Sequence, residues 1–281
     1  MNIRSYLLTG LAIGLLAAPA AAQDQTATTT AAAVGTSGQQ QPPPPIAPAP
    51  EPLIKPSYWT ANAGFETDTH NTGYGFIGPQ YVKPFASNMS WVANANANYL
   101  YYEYPLGGGI NRVTAPGLTA HGGVLFGDRN YLQVAAGPSY RRIRLENRDA
   151  FGTPFGTSSD NRYGVDLDVD GNVDPTDHSN IYAIYDFNST DNYNWARLAA
   201  KQQITNFNWS SSLAHFIGVE AIGQGNRDIH STQIGAFWET AFVPAHVSLM
   251  VRGGWKRSTF PLGGPDQTGP WVAIGFWQRL R

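Results

Sequence analysis

Apolar and polar residues alternate along most of the chain after residue 57, with the period of two that is typical of β-strands. The stretch from Trp91 to Tyr99 shows this best, because its asparagines fall on one face and its alanines on the other. An apolar face bracketed by aromatic residues is typical of a strand that crosses a bilayer. The alternative interpretation is a strand of a soluble sandwich with an alanine-rich core face.

The alternation and the turn residues between segments predict twelve strands. Their approximate bounds are 58–67, 72–84, 88–104, 117–127, 131–146, 161–170, 179–188, 193–204, 213–223, 229–241, 246–257 and 270–280. An even number of strands suits a bacterial outer-membrane barrel. The predicted fold is therefore all-β, a single antiparallel up-and-down transmembrane barrel of about twelve strands.

The predicted connections differ in length from one end of the barrel to the other. Residues 104–116, 147–160 and 258–269 form long connections rich in Gly, Pro and Asn, whereas 86–88, 127–130 and 243–245 are tight. Outer-membrane barrels have short periplasmic turns and longer extracellular loops. The long connections are therefore expected outside the cell, and both chain ends in the periplasm.

The first 56 residues differ in composition from the rest. Arg4 and the apolar run 6–18, followed by alanines 20–22, predict a signal peptide over 1–22. A retained helical anchor is the alternative. Residues 23–56 are rich in Ala, Thr, Gln and Pro and predict a disordered periplasmic linker, which leaves 57–281 as the barrel domain. A docking site for a partner is a second interpretation of the linker.

Composition narrows the class of protein further. Charged residues make up 14% of the chain, below the roughly 25% typical of soluble domains. The net charge of −2 does not indicate a nucleic-acid partner. The chain has no cysteine, which excludes disulfides, thiolate metal sites and cysteine catalysis.

The strand faces predict a charged interior. The alternation places eight charged side chains inward: Glu66, Arg141, Arg197, Lys201, Glu220, Glu239, Arg252 and Lys256. Glu220 is expected to face Arg197 or Lys201 across neighbouring strands. One interpretation is a structural plug of ion pairs, and the other is a polar conduit or a sugar-contacting surface. Trp195, Trp271 and Trp277 also fall on inner faces and are candidate carbohydrate contacts.

An Asp-rich motif, DLDVDGNVDPTD, spans 166–177 and matches the spacing of an EF-hand calcium loop, with Asp at the final position in place of Glu. The candidate calcium ligands are Asp166, Asp168, Asp170, Asn172, Asp174 and Asp177. The alternative is a membrane strand with a polar inner face followed by a turn. Calcium is the one candidate cofactor.

Catalytic patterns are sparse. His246 and Ser248 share a strand face and His230 precedes Ser231, but neither pair has an assignable acid partner. The other histidines lack metal-ligand spacing. The sequence therefore does not favour an enzyme.

Tyr193 to Trp238 resembles the cellulose biosynthesis protein BcsS family of alphaproteobacterial outer-membrane proteins. The similarity lies in YNWARL (193–198), in FIGVEAIGQGNRD (216–228) and in the glycine–alanine–phenylalanine of the next strand, and the opening segment YWTANAGFET (58–67) is also similar. The resemblance implies a non-enzymatic outer-membrane barrel accessory to cellulose production or secretion.

Three functions therefore compete. The first is a barrel assisting cellulose or exopolysaccharide export, with outer-membrane lipid, polysaccharide and the periplasmic synthesis machinery as partners. The second is a general small-solute channel, and the third is an outer-membrane lipid-modifying hydrolase.

Overall fold

The computed structural model describes residues 55–106, 108–204, 212–261 and 263–280. The predicted signal peptide and nearly all of the predicted linker lie outside these residues. The described residues form twelve strands and one short 3-10 turn. The strands are β1 (Tyr58–Asp68), β2 (Gly73–Ala86), β3 (Met89–Leu106), β4 (Gly109–Gly127), β5 (Tyr131–Arg148), β6 (Pro154–Thr176), β7 (Ser179–Asn188), β8 (Tyr193–Gln203), β9 (Leu213–Gly225), β10 (His230–Phe242), β11 (Val247–Thr259) and β12 (Gln267–Leu280), and the 3-10 turn is Val243–Ala245.

Each strand pairs antiparallel with the next in sequence, and β12 pairs with β1 to close the barrel. The closing register runs from Trp59 opposite Leu280 to Asp68 opposite Trp271. Closure pairs the backbone groups that a sheet edge would otherwise expose, which a bilayer requires. The predicted up-and-down barrel is confirmed.

The outer face of the barrel carries an apolar belt. Val251 and Ile274, for example, are 61% and 60% exposed, although both are β-branched apolar residues. Trp59 and Trp91 border the belt towards one end, and Tyr99 borders it towards the other. A belt of exposed apolar side chains between aromatic girdles is typical of a barrel surface that contacts the acyl chains of a bilayer.

Among the described residues, no helix is long and apolar enough to cross a membrane.

Two strands, β4 and β6, are at least eight residues longer than the alternation predicted. β4 begins at Gly109 rather than near residue 117, and β6 covers Pro154–Thr176 rather than 161–170. Most of the expected long connections 104–116 and 147–160 are therefore strand. Both faces of the β6 extension are largely exposed to solvent along much of its length. Because neither face is buried there, the sequence does not alternate between apolar and polar residues.

These extensions give the barrel two distinct ends. β6 pairs with β7 only from Asp166 onward, so β3 to β6 continue past the barrel as a four-stranded sheet. We call this the ribbon end and the opposite end the short-turn end. At the short-turn end, the β2–β3, β4–β5 and β6–β7 connections contain two or three residues.

An apolar cluster fills the barrel at the ribbon end, and we call it the apolar plug. Its members come from strands on opposite sides of the barrel and from two connections: Leu100, Tyr102, Tyr104, Val113, Ala115, Tyr193, Ile229 and Phe260. The phenol oxygen of Tyr102 also lies 3.4 Å from the Asp228 carboxylate in the β9–β10 connection. Sequence reasoning missed the plug, although the inner face of β3 changes from asparagine to Leu100 and Tyr102.

Candidate functional site

The centre of the lumen holds a chain of ion pairs. The Nε of Arg197 on β8 donates to Glu220 Oε2 on β9 at 2.6 Å. Arg252 on β11 approaches the same oxygen at 3.4 Å and reaches Glu66 on β1 at 3.8 Å. The Glu220 side chain is 0% exposed. The structure thus places Glu220 against Arg197, as the strand alternation predicts.

Local sequence explains why these groups fit together. Gly235 lies directly opposite Glu220, and a Cβ at this glycine would lie 2.7 Å from the Trp271 ring. The missing side chain leaves space for the indole, over which the Arg252 guanidinium lies 5.7 Å from the ring centre. A cation over an indole face is electrostatically favourable.

The other predicted lumen charges form separate pairs. Lys201 donates to Glu239 at 2.6 Å, and the same carboxylate accepts a 2.6 Å hydrogen bond from Ser248. Lys256 pairs with Asp68 at 2.9 Å, and both side chains are only 3% exposed.

Arg141 lies apart from these groups. It pairs with Asp191 at 3.0 Å, in the connection after β7. Asp68, Asp191 and Gln233 belong to the lumen network but were not predicted, and Gln233 donates to Glu66 at 2.6 Å. Asp68 follows Glu66 by two residues and Gln233 precedes Glu239 by six, so each shares a strand face with a predicted inward charge, which was the available signal. Asp191 lies in a connection, where alternation gives no signal.

The eight predicted charges therefore lie inside the barrel, and each one has an ionic partner there. A charge in a low-dielectric interior is tolerated only when it is paired and hydrogen-bonded. The Glu220 pairs lie in the middle of the lumen, and the apolar plug lies at its ribbon end. Side chains thus block a straight path through the barrel.

The Asp-rich motif does not form an EF-hand loop, and the structure shows the alternative interpretation, a strand with a polar inner face. Residues 166–176 are part of the continuous strand β6, so alternate ligands are spread along the strand rather than gathered around one point. Asp166 contacts His121 at 2.8 Å and also Asn188. Asp168 accepts a 3.4 Å hydrogen bond from Gln133.

The remaining motif residues have other surroundings. Asp170 is buried on the inner face, and Asn172 donates to the Arg129 carbonyl at 2.8 Å. Arg129 also binds Asp174 at 2.8 Å and Asp177 at 2.7 Å. Within the part of the chain that the structure describes, no three acidic, histidine or cysteine side chains are grouped so that they could hold a metal ion.

The Arg129 clamp predicts a pH response at the short-turn end. Hydrogen bonding from Arg129 lowers the pKa of the Asp177 carboxyl below its usual range. Because the folded-state pKa is lowered, the interaction is present above the unfolded pKa and is lost as pH falls through the folded value. Arg129→Gln is expected to raise the pKa of Asp177 towards that of an ordinary aspartate.

A carboxyl-carbon NMR titration of labelled protein in micelles measures this pKa. Arg227→Gln removes an exposed arginine from the other end and is expected to leave the pKa of Asp177 unchanged. An unchanged Asp177 titration in Arg129→Gln would contradict the assigned cause.

The three candidate sugar-contacting tryptophans lie in different environments. Trp271 is 1% exposed, so no face of its ring is available and its assignment as a sugar contact is wrong. Trp195 is partly buried against the apolar plug and against Ile222. Trp277 lies opposite the lumen residue Ser248 and is 43% exposed at the short-turn end.

The candidate hydrolase pairs do not form catalytic contacts in the described residues. Ser248 donates to Glu239, and Ser231 hydrogen-bonds Ser258 at 2.8 Å. His246 is in the left-handed conformation after the 3-10 turn. Neither serine is hydrogen-bonded to a histidine in the described part of the chain.

A closed barrel with an apolar belt and an ion-paired interior defines a transmembrane β-barrel protein. The family model of the cellulose biosynthesis protein BcsS matches residues 86–280, from the end of β2 to the end of β12. The chain belongs to this family, which confirms the resemblance seen in the sequence.

The chain is also similar, at low sequence identity, to several solved structures. The β domain of the Bordetella autotransporter BrkA is 12% identical, covers 79% of this chain and 98% of its own, and has a TM-score of 0.45. The transport unit of the Escherichia coli autotransporter AIDA-I is 11% identical, with coverages of 80% and 90% and a TM-score of 0.39. The COG4313 outer membrane channel of Pseudomonas putida F1 is 11% identical, with coverages of 83% and 99% and a TM-score of 0.34. A search of curated proteins found no match.

Proposed function

We propose that the protein is a non-enzymatic outer-membrane β-barrel that assists cellulose biosynthesis or secretion without serving as an open conduit. Family membership supports the link to cellulose. The mode of action is inferred from the side chains that fill the lumen. The buried Glu220 ion pairs lie in the centre, and the apolar plug lies at the ribbon end. In this proposal, the ribbon end is extracellular and the N-terminal linker is periplasmic.

The filled lumen opposes the general-channel hypothesis. A steady pore for small solutes requires a continuous water-filled path, as in the wider barrels of porins. A glucan chain needs at least as much space as a small solute. The protein therefore acts from its surfaces and ends, where it can hold polymer or synthesis machinery at the membrane.

The short-turn end, which is periplasmic in this proposal, supplies the surface best suited to polysaccharide. Trp277 exposes its ring there, and the nearby Arg279 guanidinium lies 3.8 Å from the centre of the Tyr58 ring. Sugar rings have apolar faces and hydroxyl edges, so they suit an aromatic surface beside hydrogen-bond donors. We assign Trp277 as a carbohydrate contact.

Gene deletion tests the proposed function. Deletion is expected to reduce extracellular cellulose while membrane lipid composition is unchanged, and the full-length gene is expected to restore production. Normal cellulose in the deletion strain would overturn the proposal. Altered lipid acylation with normal cellulose would instead support the hydrolase alternative.

The Trp277 assignment is tested separately. Trp277→Ala is expected to weaken binding of a cello-oligosaccharide by about tenfold, since one aromatic contact contributes roughly 1–2 kcal/mol. Trp277→Phe is expected to retain part of the affinity. Calorimetric titration of cellohexaose into detergent-solubilised protein measures the change.

Trp255→Ala is the matched control, because Trp255 is exposed on the outer face. Equal affinity in wild type and Trp277→Ala would remove Trp277 from the binding surface, without affecting the cellulose phenotype.

A further inference from the structure

The outer face of β2 to β6 carries a groove of ≈ 620 Å³ that lies beside unpaired positive charge. Its floor is made of small residues, among them Pro79, Ala95, Ala120 and Pro138. A row of larger side chains crosses the same strands on the ribbon side of this floor. In that row, Leu118 pairs with Tyr140, which pairs with Tyr163.

The two tyrosines form the aromatic rim of the groove. Their ring centres are 5.2 Å apart, and the Tyr140 hydroxyl donates to Asn161 at 3.0 Å. The groove therefore combines an apolar floor with an aromatic rim that ends in polar groups. Aromatic side chains with one wet edge are typical of the boundary between acyl chains and headgroups.

Arginines begin immediately beyond this rim. Arg142 and Arg144 follow Tyr140 on the same strand face, at steps of about 6.7 Å along β5. Arg112 and Arg148 lie farther towards the ribbon end on β4 and β5. Charge on the lipid face is costly at the bilayer midplane and tolerated near the interface. These arginines lie beyond the tyrosine rim, towards the ribbon end.

Two glutamates neutralise only part of this cluster. Glu103 binds Arg112 at 2.7 Å, and Glu146 binds Arg148 at 2.6 Å. Arg144 lies 4.0 Å from Glu146, at the limit of an ion pair, and Arg142 forms no ion pair with any residue that the structure describes. Two exposed guanidinium groups thus remain available for an external anion.

We propose that this face binds a membrane lipid with a phosphorylated headgroup, in the leaflet at the ribbon end. The acyl chains lie in the groove, and Arg142 and Arg144 bind the phosphate. Guanidinium groups suit phosphate because they donate two parallel, charge-assisted hydrogen bonds. The charge complementarity beside an apolar groove selects a lipid over a second copy of the barrel, whose matching face would bring like charges together.

The site goes beyond the proposed role in cellulose production and does not depend on it. It is on the lipid side of the barrel wall, whereas the carbohydrate contact faces the lumen. Loss of lipid binding and loss of cellulose can therefore be measured independently.

Native mass spectrometry of the purified barrel tests the proposal, with diphosphorylated lipid A and its dephosphorylated form as probes. Wild type is expected to retain the phosphorylated form about tenfold more strongly. Arg142→Gln/Arg144→Gln is expected to remove this preference. Arg227→Gln, which changes an exposed arginine in the β9–β10 turn, is the matched control and is expected to retain it.

The groove is tested by Ala120→Trp, which fills the floor and is expected to weaken both lipids. Ala221→Trp places the same side chain on the outer face of β9 and is the control. Heat-dependent gel migration verifies that each variant is folded, and the arginine variants remain informative if Ala120→Trp does not fold.

Three results would overturn the proposal. One is equal retention of the two lipids by wild type. Another is unchanged preference in the double arginine variant. The third is complete displacement of the phosphorylated lipid by millimolar inorganic phosphate with no effect of Ala120→Trp, which would indicate a free-anion site.

Discussion

Glu220→Ala is expected to lower the free energy of unfolding by about 3–5 kcal/mol, the cost typical of breaking a buried ion pair. Glu220 is the shared acceptor of Arg197 and Arg252, and its side chain is 0% exposed. Its removal leaves two guanidinium groups close together in the lumen without their common counter-charge. Urea unfolding of the protein in lipid vesicles, followed by tryptophan fluorescence, measures the change.

A surface pair provides the control for this measurement. Arg257 and Asp266 form an ion pair at 2.7 Å, with side chains 64% and 44% exposed. Asp266→Asn is expected to cost about 0–1 kcal/mol, because solvent screens such pairs. If Glu220→Ala costs no more than Asp266→Asn, the central ion pairs are hydrated and the lumen is not filled as described.

A second set of variants addresses the blocked lumen directly. Wild type is expected to give no steady current steps in planar bilayers, because the ion pairs and the apolar plug obstruct the path in series. Replacing Arg197, Glu220 and Arg252 with serine removes only the central ion pairs. Replacing Tyr102 and Tyr193 with serine opens only the apolar plug.

Each set alone is therefore expected to leave the barrel closed, and the combined variant is expected to give steady steps. A matched five-residue serine variant on the outer face, away from the lumen, is the control for general loosening of the barrel. Large, steady currents from wild type would contradict the filled lumen and favour the channel hypothesis.

Much of the fold could be predicted because a barrel wall has one face towards lipid and one towards its interior. The alternation of apolar and polar residues therefore indicated, at each position, whether the side chain faces lipid or the interior. The prediction that Glu220 lies near Arg197 followed from this face assignment. Prediction weakened where the difference between the two faces disappears. The extensions of β4 and β6 lie beyond the apolar belt, and their pattern resembled loops.

The candidate site was predicted less completely, because knowing which face a side chain lies on does not give its distance from side chains on other strands. Trp271 was correctly assigned to the interior, but the close approach at Gly235 that buries its ring depends on strand register. The Asp-rich motif has the spacing of a calcium loop, yet pairing with β5 and β7 keeps it extended. A local pattern cannot show which partner strands will hold it.

The sequence alone determined the strand number, the inward charges and the family resemblance, because each depends on local alternation or on contiguous residues. Tertiary structure decided which charges pair, that Leu100 and Tyr193 belong to one apolar cluster, and that Arg142 lies beside an apolar groove. Each of these depends on side chains distant in sequence. Only barrel closure and strand register determine their separation.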